Sequence, residues 1–506
     1  MPAEISSRRS FGSLRTGRAV ALAAGAGLLS ALVCVSCRSP APTTKQHIRV
    51  TTRTLLHLPD TARRATLAIG SDGYTFAYVE RTTAGQRIVH SGGIDREYEE
   101  VSNPVLLRET QRRLYWAIDR ELGENDLLII DDGRPIRTGL GRPNPFVISR
   151  NGTRWATAGN LSRDLPGRIT TGKAAVYSNG ELLGVYEDVS VPAISSDGRH
   201  VAFVGERADG SHVLVVDGKE ERVFERPPAD KASPPVRMSD RAPGLGQFKL
   251  SYLSDGSLVV LAYDADGWAL YRNGTRLASF AHVLSLGGQV AVSFDPFRTA
   301  PTILANSLSS ADNAPVLSWW EKVPGEEAKW RVVRDGQAEP FVCSHYWEFM
   351  PPMLSDDGRH VAYPCYRDLP VAPEVLADFV TDSTRWGPFY SVWGVAFSPA
   401  GDRVAYAASL EPRGKWWYFI GGQAFPTAYE EAWRPRFTLD GKHLAWEGRW
   451  RGKVVAVIDG DSLYSFEAVL WGPEFPRPNT VAWVVRRGEK VKRVEALLPP
   501  EERQGR

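Results

Sequence analysis

Histidine, cysteine and methionine are scarce in this chain, at nine, four and four among 506 residues. No His-Glu-x-x-His stretch is present, so the sequence carries no zinc-protease motif. No Gly-x-Ser-x-Gly elbow marks a serine hydrolase. None of the 46 glycines belongs to a phosphate loop of the Gly-x-x-x-x-Gly-Lys-Ser/Thr type. Asp264-Ala265-Asp266-Gly267 lacks the downstream ligands of a calcium loop and reads as a hairpin turn. The 61 basic residues nearly cancel the 59 acidic ones, and no long basic run follows the N-terminus, so nucleic acid is not an expected partner. No catalytic residue, metal ligand or cofactor is assigned.

What is present is a globular composition, 43% apolar and 24% charged, with 16 tryptophans. Arg8, Arg9, Arg15 and Arg18 precede an apolar run from Ala19 to Val35, the charged-then-greasy order of an export signal. Ser7-Arg8-Arg9-Ser10-Phe11 resembles the twin-arginine signal, although Gly12 and Ser13 depart from its ending. The general secretory route stays open beside it. Val33-Cys34-Val35-Ser36-Cys37 is similar to a bacterial lipoprotein box, with Cys34 where that family usually has leucine. The resemblance implies lipidation of Cys37; cleavage without a lipid and an uncleaved anchor are the alternatives. Residues 1–37 are thus expected to be a signal, 38–46 a solvated tether, and 498–506 a disordered tail.

Between them one phrase recurs: IGSDGYTFAY, ISRNGTRWAT, ISSDGRHVAF, LSDDGRHVAY, FSPAGDRVAY and FTLDGKHLAW. Its turn glycines are Gly73, Gly152, Gly198, Gly256, Gly358, Gly401 and Gly441, and weaker copies lie near Gln111, Phe297 and Asn479. Asp-Gly or Asn-Gly between β-rich runs supplies the positive φ of a tight hairpin, so each copy is strand, turn, strand. A small residue recurs on the second strand, as Ala77, Ala156, Ala202, Ala362, Ala405, Ala445 and Ala482, where it lets neighbouring sheets approach. A second hairpin follows, as in VLVVDGKEERVF and VAVIDGDSLYSF. Two hairpins make one four-stranded propeller blade.

These residues resemble the bacterial WD-like propeller repeats of the TolB type over roughly residues 47–497. The resemblance implies an all-β propeller of about ten units, either a single ring of eight to ten blades or two smaller rings. TolB's own N-terminal α/β domain has no counterpart between Cys37 and the first repeat, so TolB's partners are not carried over. The last copy, KVKRVEALL, is one strand short, and IRVTTRTLLHL near residue 50 is expected to supply it.

His200, His360 and His443 each lie two residues beyond a turn glycine and read as repeat positions. Trp393, Trp433 and Trp471 share a second phase, four residues before Phe397, Phe437 and Phe475, each taken as the end of an innermost strand. They are the candidate ligand-binding residues, as an arc around one channel mouth; interblade packing is the alternative. The segments linking blades should lie opposite the Asp-Gly turns, together with loops 226–244 and 306–328, and that face is the expected binding surface. Cys343 and Cys365 remain once the leader is set aside, and an oxidising compartment lets them pair or leaves two free thiols.

The expected function is a binding or scaffolding module for a protein or an envelope polymer, exported to the periplasm or cell surface. Contact with the membrane is expected only through the N-terminal anchor. The alternative is a channel-face enzyme, a lyase or hydrolase on glycans or peptides, drawing on loop charges such as Arg163, Asp164, Glu321, Lys322, Arg449 and Arg451. Carboxylates gathered at the channel mouth would favour it.

Overall fold

The computed structural model describes residues 48–498 except 63–65, 120–126, 144, 163, 165–169, 227–244, 246–247, 281, 285–301, 305–308, 327–328, 345–350 and 368–375. The signal, the tether, Cys37 and the C-terminal tail lie outside the described residues. So do most of the 226–244 loop and the weak repeat near Phe297.

The described residues form ten small sheets in chain order, antiparallel but for the parallel pair His282–Leu284 and Thr302–Leu304 in the sixth, and these sheets are the ten blades of one propeller. Blades 1 to 10 span residues 68–94, 100–137, 140–186, 188–224, 249–280, 282–343, 353–389, 391–429, 431–466 and 468–497. The two-ring alternative falls away because apolar clusters join successive sheets through to the last seam. There Tyr78 of blade 1 packs with Val484 and Val491 of blade 10. Arg49–His57 runs antiparallel to Lys490–Leu497 and completes blade 10 as its outer strand. The first strand of the propeller thus closes the ring by covering the outer edge of Lys490–Leu497.

The recurrent Ser-x-Asp-Gly phrase has a mechanical basis. In blade 7, the Ser355 hydroxyl donates to Asp357 Oδ1 at 2.6 Å and accepts the His360 amide at 3.0 Å. Blades 4 and 9 repeat this with Ser195, Asp197 and His200, and with Thr438, Asp440 and His443. The turn glycine is required because φ is positive and the preceding blade's turn presses on it. At Gly198, φ is +73°, and a β-carbon would stand 2.5 Å from Thr153 Oγ1 of blade 3.

The second hairpin is laced to the first. Asp217, Asp382 and Asp459 adopt φ between 47° and 49° in the outer turns, and each accepts the backbone N–H that opens the second strand. Their other oxygens hold His200, His360 and His443 at 2.8, 2.8 and 2.5 Å. The three histidines are therefore parts of the blade frame. The recurrent alanines are wholly buried, and in blade 8 Ala405 and Ala407 let Trp446 of blade 9 approach.

Two sequence readings need correction in blade 6. Residues 306–328 are not a long loop: they contain Ser309–Ser310 and the full strand Leu317–Lys322. The inner turn of this blade is Ala311–Val316, where Ala-Asp-Asn-Ala-Pro replaces the usual glycine phrase and so hides it. Glu321 and Lys322 are accordingly strand residues, Glu321 paired with Arg331 and Lys322 buried.

Candidate functional site

The turns of the first and second hairpins of each blade lie on one face, the Asp-Gly face, and the middle-strand turns, among them Asp209-Gly210 and Asp266-Gly267, lie with the interblade links on the other, the connection face. Arg49 lies opposite Leu497, so the described chain enters on the Asp-Gly face.

A groove of about 740 Å³ runs along the outer strand of blade 9, from its middle hairpin and Arg487 of blade 10 on the connection face toward the outer turn. Trp450 and Lys453 close the middle hairpin of blade 9 as a pair, with Arg451 and Gly452 at its tip, both at positive φ. The Arg451 guanidinium lies 4.3 Å from the Trp450 ring centroid, and that indole is 40% exposed. Arg487, at the equivalent hairpin of blade 10, forms the opposite wall. The floor is the outer strand of blade 9, offering Ser462 and Ser465 hydroxyls beside Leu463 and Phe466. Glu467 also lines the groove, but its carboxylate accepts the Gly488 amide at 2.9 Å. The volume falls within the roughly 300–1,000 Å³ of small-ligand sites.

Trp393, Trp433 and Trp471 occupy equivalent places on three inner strands. A bulge follows each, between Trp393 and Ala396, Trp433 and Arg436, and Trp471 and Glu474. The next residue has positive φ in all three cases: Gly394, Arg434 and Gly472. The innermost strand of blade 10 runs on past Phe475 to Arg477.

Residues directly opposed on antiparallel strands share a sheet face. Trp393, Ala407 and Tyr418 thus form one row, and this row packs on blade 9. Trp433, Glu447 and Ala456 form the corresponding row toward blade 10, and Trp471, Val484 and Arg493 the row toward blade 1. Each ring stands at the inner margin of a seam. Their environments differ: Trp393 is 44% exposed, Trp433 half-buried with Arg449 5.8 Å away, and Trp471 half-buried. Arg493 lies 5.5 Å from Trp471, and a β-carbon on Gly73 would meet that ring at 2.8 Å.

Beneath Trp433 lies Glu447, 4% exposed, whose Oε1 has no hydrogen-bond partner among the described residues. Burial pushes its carboxyl up to about 7, and Arg434, 3.7 Å away, only partly opposes this. Sequence reading missed Glu447; a charge inside the otherwise apolar strand LAWEG was its signal. The groove residues Trp450, Lys453 and Arg487 were missed as well, although Arg451 beside them was among the loop charges, because they come from two blades and share no motif.

On the Asp-Gly face the second residues of three inner turns, Arg150, Asp312 and Asp356, come together. Arg150 of blade 3 reaches Asp312 of blade 6, donating to its carbonyl at 2.9 Å, with the carboxylate 3.7 Å away. Asp356 of blade 7 has its carboxyl raised by burial and by the neighbouring charge of Asp312, against the pull of Arg150. Ser71, Asp72, Arg108 and Gln111 border a cleft of about 430 Å³ beside Arg150. Among the described residues, no three histidine, cysteine, aspartate or glutamate side chains converge as a metal site. Of the loop charges, Asp164 accepts the Thr170 and Thr171 amides, Arg449 pairs with Glu431, and Arg163 lies outside the described residues. Cys343 and Cys365 are bonded, their α-carbons 5.1 Å apart, joining the outer strand of blade 6 to the second strand of blade 7.

No family profile matches the chain, and no curated protein matches it in sequence. Solved structures are similar at low identity. The β-propeller domain of the Trilobed protease from Pyrococcus furiosus is 9% identical, with a TM-score of 0.28, over 79% of this chain and 96% of that one. TolB from Acinetobacter baumannii is 10% identical, with a TM-score of 0.22, over 84% and 80%. A Mycobacterium tuberculosis puromycin-hydrolyzing peptidase is 15% identical, with a TM-score of 0.28, over 71% and 61%.

Proposed function

We propose that the chain is a non-catalytic binding or scaffolding module of the cell envelope, anchored by a lipid at Cys37, whose connection face receives a protein or an envelope polymer. The observation that carries this reading is the groove along the outer strand of blade 9, where exposed Trp450 stands among Arg451, Lys453 and Arg487. Aromatic rings beside charged groups combine a flat apolar face with directional contacts.

The test is capture of solubilised envelope on immobilised protein. A partner retained by wild type should be lost with Trp450→Ala/Arg487→Ala and kept by Arg150→Ala. The opposite pattern would move binding to the channel mouth.

A channel-face enzyme is the second reading, favoured by the closeness of Asp312, Asp356 and Arg150. Two neighbouring carboxyls, one of them in a more buried setting than the other, are the kind of pair used in glycan hydrolysis. Turnover of a glycan or peptide that disappears in Asp356→Asn would establish it.

A further inference from the structure

The groove is one station of a longer feature. The middle hairpins of blades 8, 9 and 10 carry Arg413-Gly414-Lys415, Arg451-Gly452-Lys453 and Arg487-Gly488-Glu489-Lys490. The three turns share one composition on one face of three consecutive blades: Lys453 and Lys490 hold matching positions, while Arg487 stands where blade 9 has Trp450, one residue before the tip. All six cations are exposed, and none has a carboxylate within ion-pair distance among the described residues.

Nearby acids do not cancel them. Glu430 and Glu467, at equivalent places after blades 8 and 9, spend their carboxylates on the Gly452 and Gly488 amides. Those two carboxylates still count as charges, so with Glu411 and Glu489 the turns set four acids against six cations, a net positive row. An unpaired row of like charge destabilises the fold slightly through self-repulsion, which a polyanion would relieve.

We infer that these Arg-Gly-Lys turns form a cationic track for an acidic polysaccharide, a chain of carboxylate-bearing sugars lying across blades 8 to 10. The inference rests on the binding-module reading and names its ligand class. Charge complementarity sets the sign of the ligand. The sugar chemistry follows from the rest of the groove: a flat exposed indole at Trp450 suits the apolar face of a sugar ring, and Ser462 and Ser465 suit its hydroxyls. An acidic peptide would use the cations but would leave the ring and the hydroxyl floor without specific work.

The experiment measures binding of polygalacturonate, dextran and poly-glutamate to the whole mature protein and to Lys415→Glu/Lys453→Glu/Lys490→Glu. These lysines sit outside the positive-φ positions, so the variant should melt as wild type does. Wild type should bind polygalacturonate at least about tenfold more tightly than either other polymer, and more weakly as salt rises. The triple variant should lose at least about tenfold in affinity, and Trp450→Ala a smaller factor. Equal affinity for dextran, tighter binding of poly-glutamate, or unchanged binding in the triple variant would each overturn the inference. If groove variants lose their envelope partner while wild type ignores polygalacturonate, the ligand class fails and the binding module stands. If the partner is kept by groove variants, the binding module itself fails.

Discussion

His360 Nδ1 stands 2.8 Å from Asp382 Oδ2, while Asp382 Oδ1 accepts the Val361 amide at 3.1 Å. One side chain thus fastens the inner hairpin of blade 7 to its outer turn. In blade 6, Asp335 makes the same amide contact with Leu317, and no histidine stands at the matching place, which Val316 occupies. Asp382→Ala should cost about 1–3 kcal/mol, because it strands a strand-opening N–H and a histidine together. Asp335→Ala should cost about 1 kcal/mol. Urea unfolding of both variants checks the order, and equal losses would mean that the histidine contributes nothing.

Glu447 gives stability a pH dependence whose sign is fixed. Its folded-state carboxyl sits at about 7, against an ordinary value of 4.5, so the folded protein holds a proton that the unfolded chain has released. Stability from this group is therefore full at acid pH and falls as pH rises from about 4.5 through 7, by roughly 3 kcal/mol in all. His443 acts in the same direction: its bond to Asp459 raises its pKa, so its contribution is present below 6.5 and is lost as pH passes the folded value. Glu447→Gln should be the more stable protein at pH 8, and should keep only the shallower slope that His443→Asn removes. A Glu447→Gln variant with the wild-type slope between pH 5 and 8 would refute the assignment.

The fold was legible because each blade repeats the same local chemistry. Positive φ at Asp or Asn before glycine, and a small residue on the second strand, recur often enough to set the phase. The closing strand was legible because the last copy lacked a partner for 490–497. Blade 6 was misread where Ala311-Asp312-Asn313-Ala314-Pro315 makes the turn without glycine. The groove was less legible: Trp450, Lys453 and Arg487 come from two blades, and only their placement in three dimensions unites them. The channel contact between Arg150 and Asp312 spans 162 residues, which no local pattern encodes.

The bond between Cys343 and Cys365 staples blade 6 to blade 7 and closes a segment 22 residues long. A cross-link over that span stabilises by about 3 kcal/mol, chiefly through the unfolded chain. Cys343→Ser/Cys365→Ser should lower the melting temperature, and dithiothreitol should lower that of wild type while leaving the variant unchanged. A reductant effect of equal size on both would show that the staple is not its target.

Lipidation at Cys37 is expected from the Ser36-Cys37 junction. Wild type should take up a fatty-acid label and fractionate with membranes; Cys37→Ala should take up none. Mature protein that begins at another residue and carries no label would remove the anchor from the proposed function.

The three inner-strand tryptophans should separate by burial. Trp471 is held between Arg493 and the turn at Gly73, on the seam that closes the ring, so Trp471→Ala should cost about 2 kcal/mol or more. Trp393 is 44% exposed, and Trp393→Ala should cost under about 1 kcal/mol. Trp433 should fall between them, since its ring covers Glu447 and Arg449 lies over it. If the rings form one binding arc, all three variants should weaken the envelope partner alike, whatever their stability. If they serve the seams, binding should follow the order of exposure, with Trp393→Ala alone affecting it at unchanged melting temperature. Melting curves read beside binding isotherms for the three variants decide between arc and seam, and a large loss of stability in Trp393→Ala would contradict the placement of that ring.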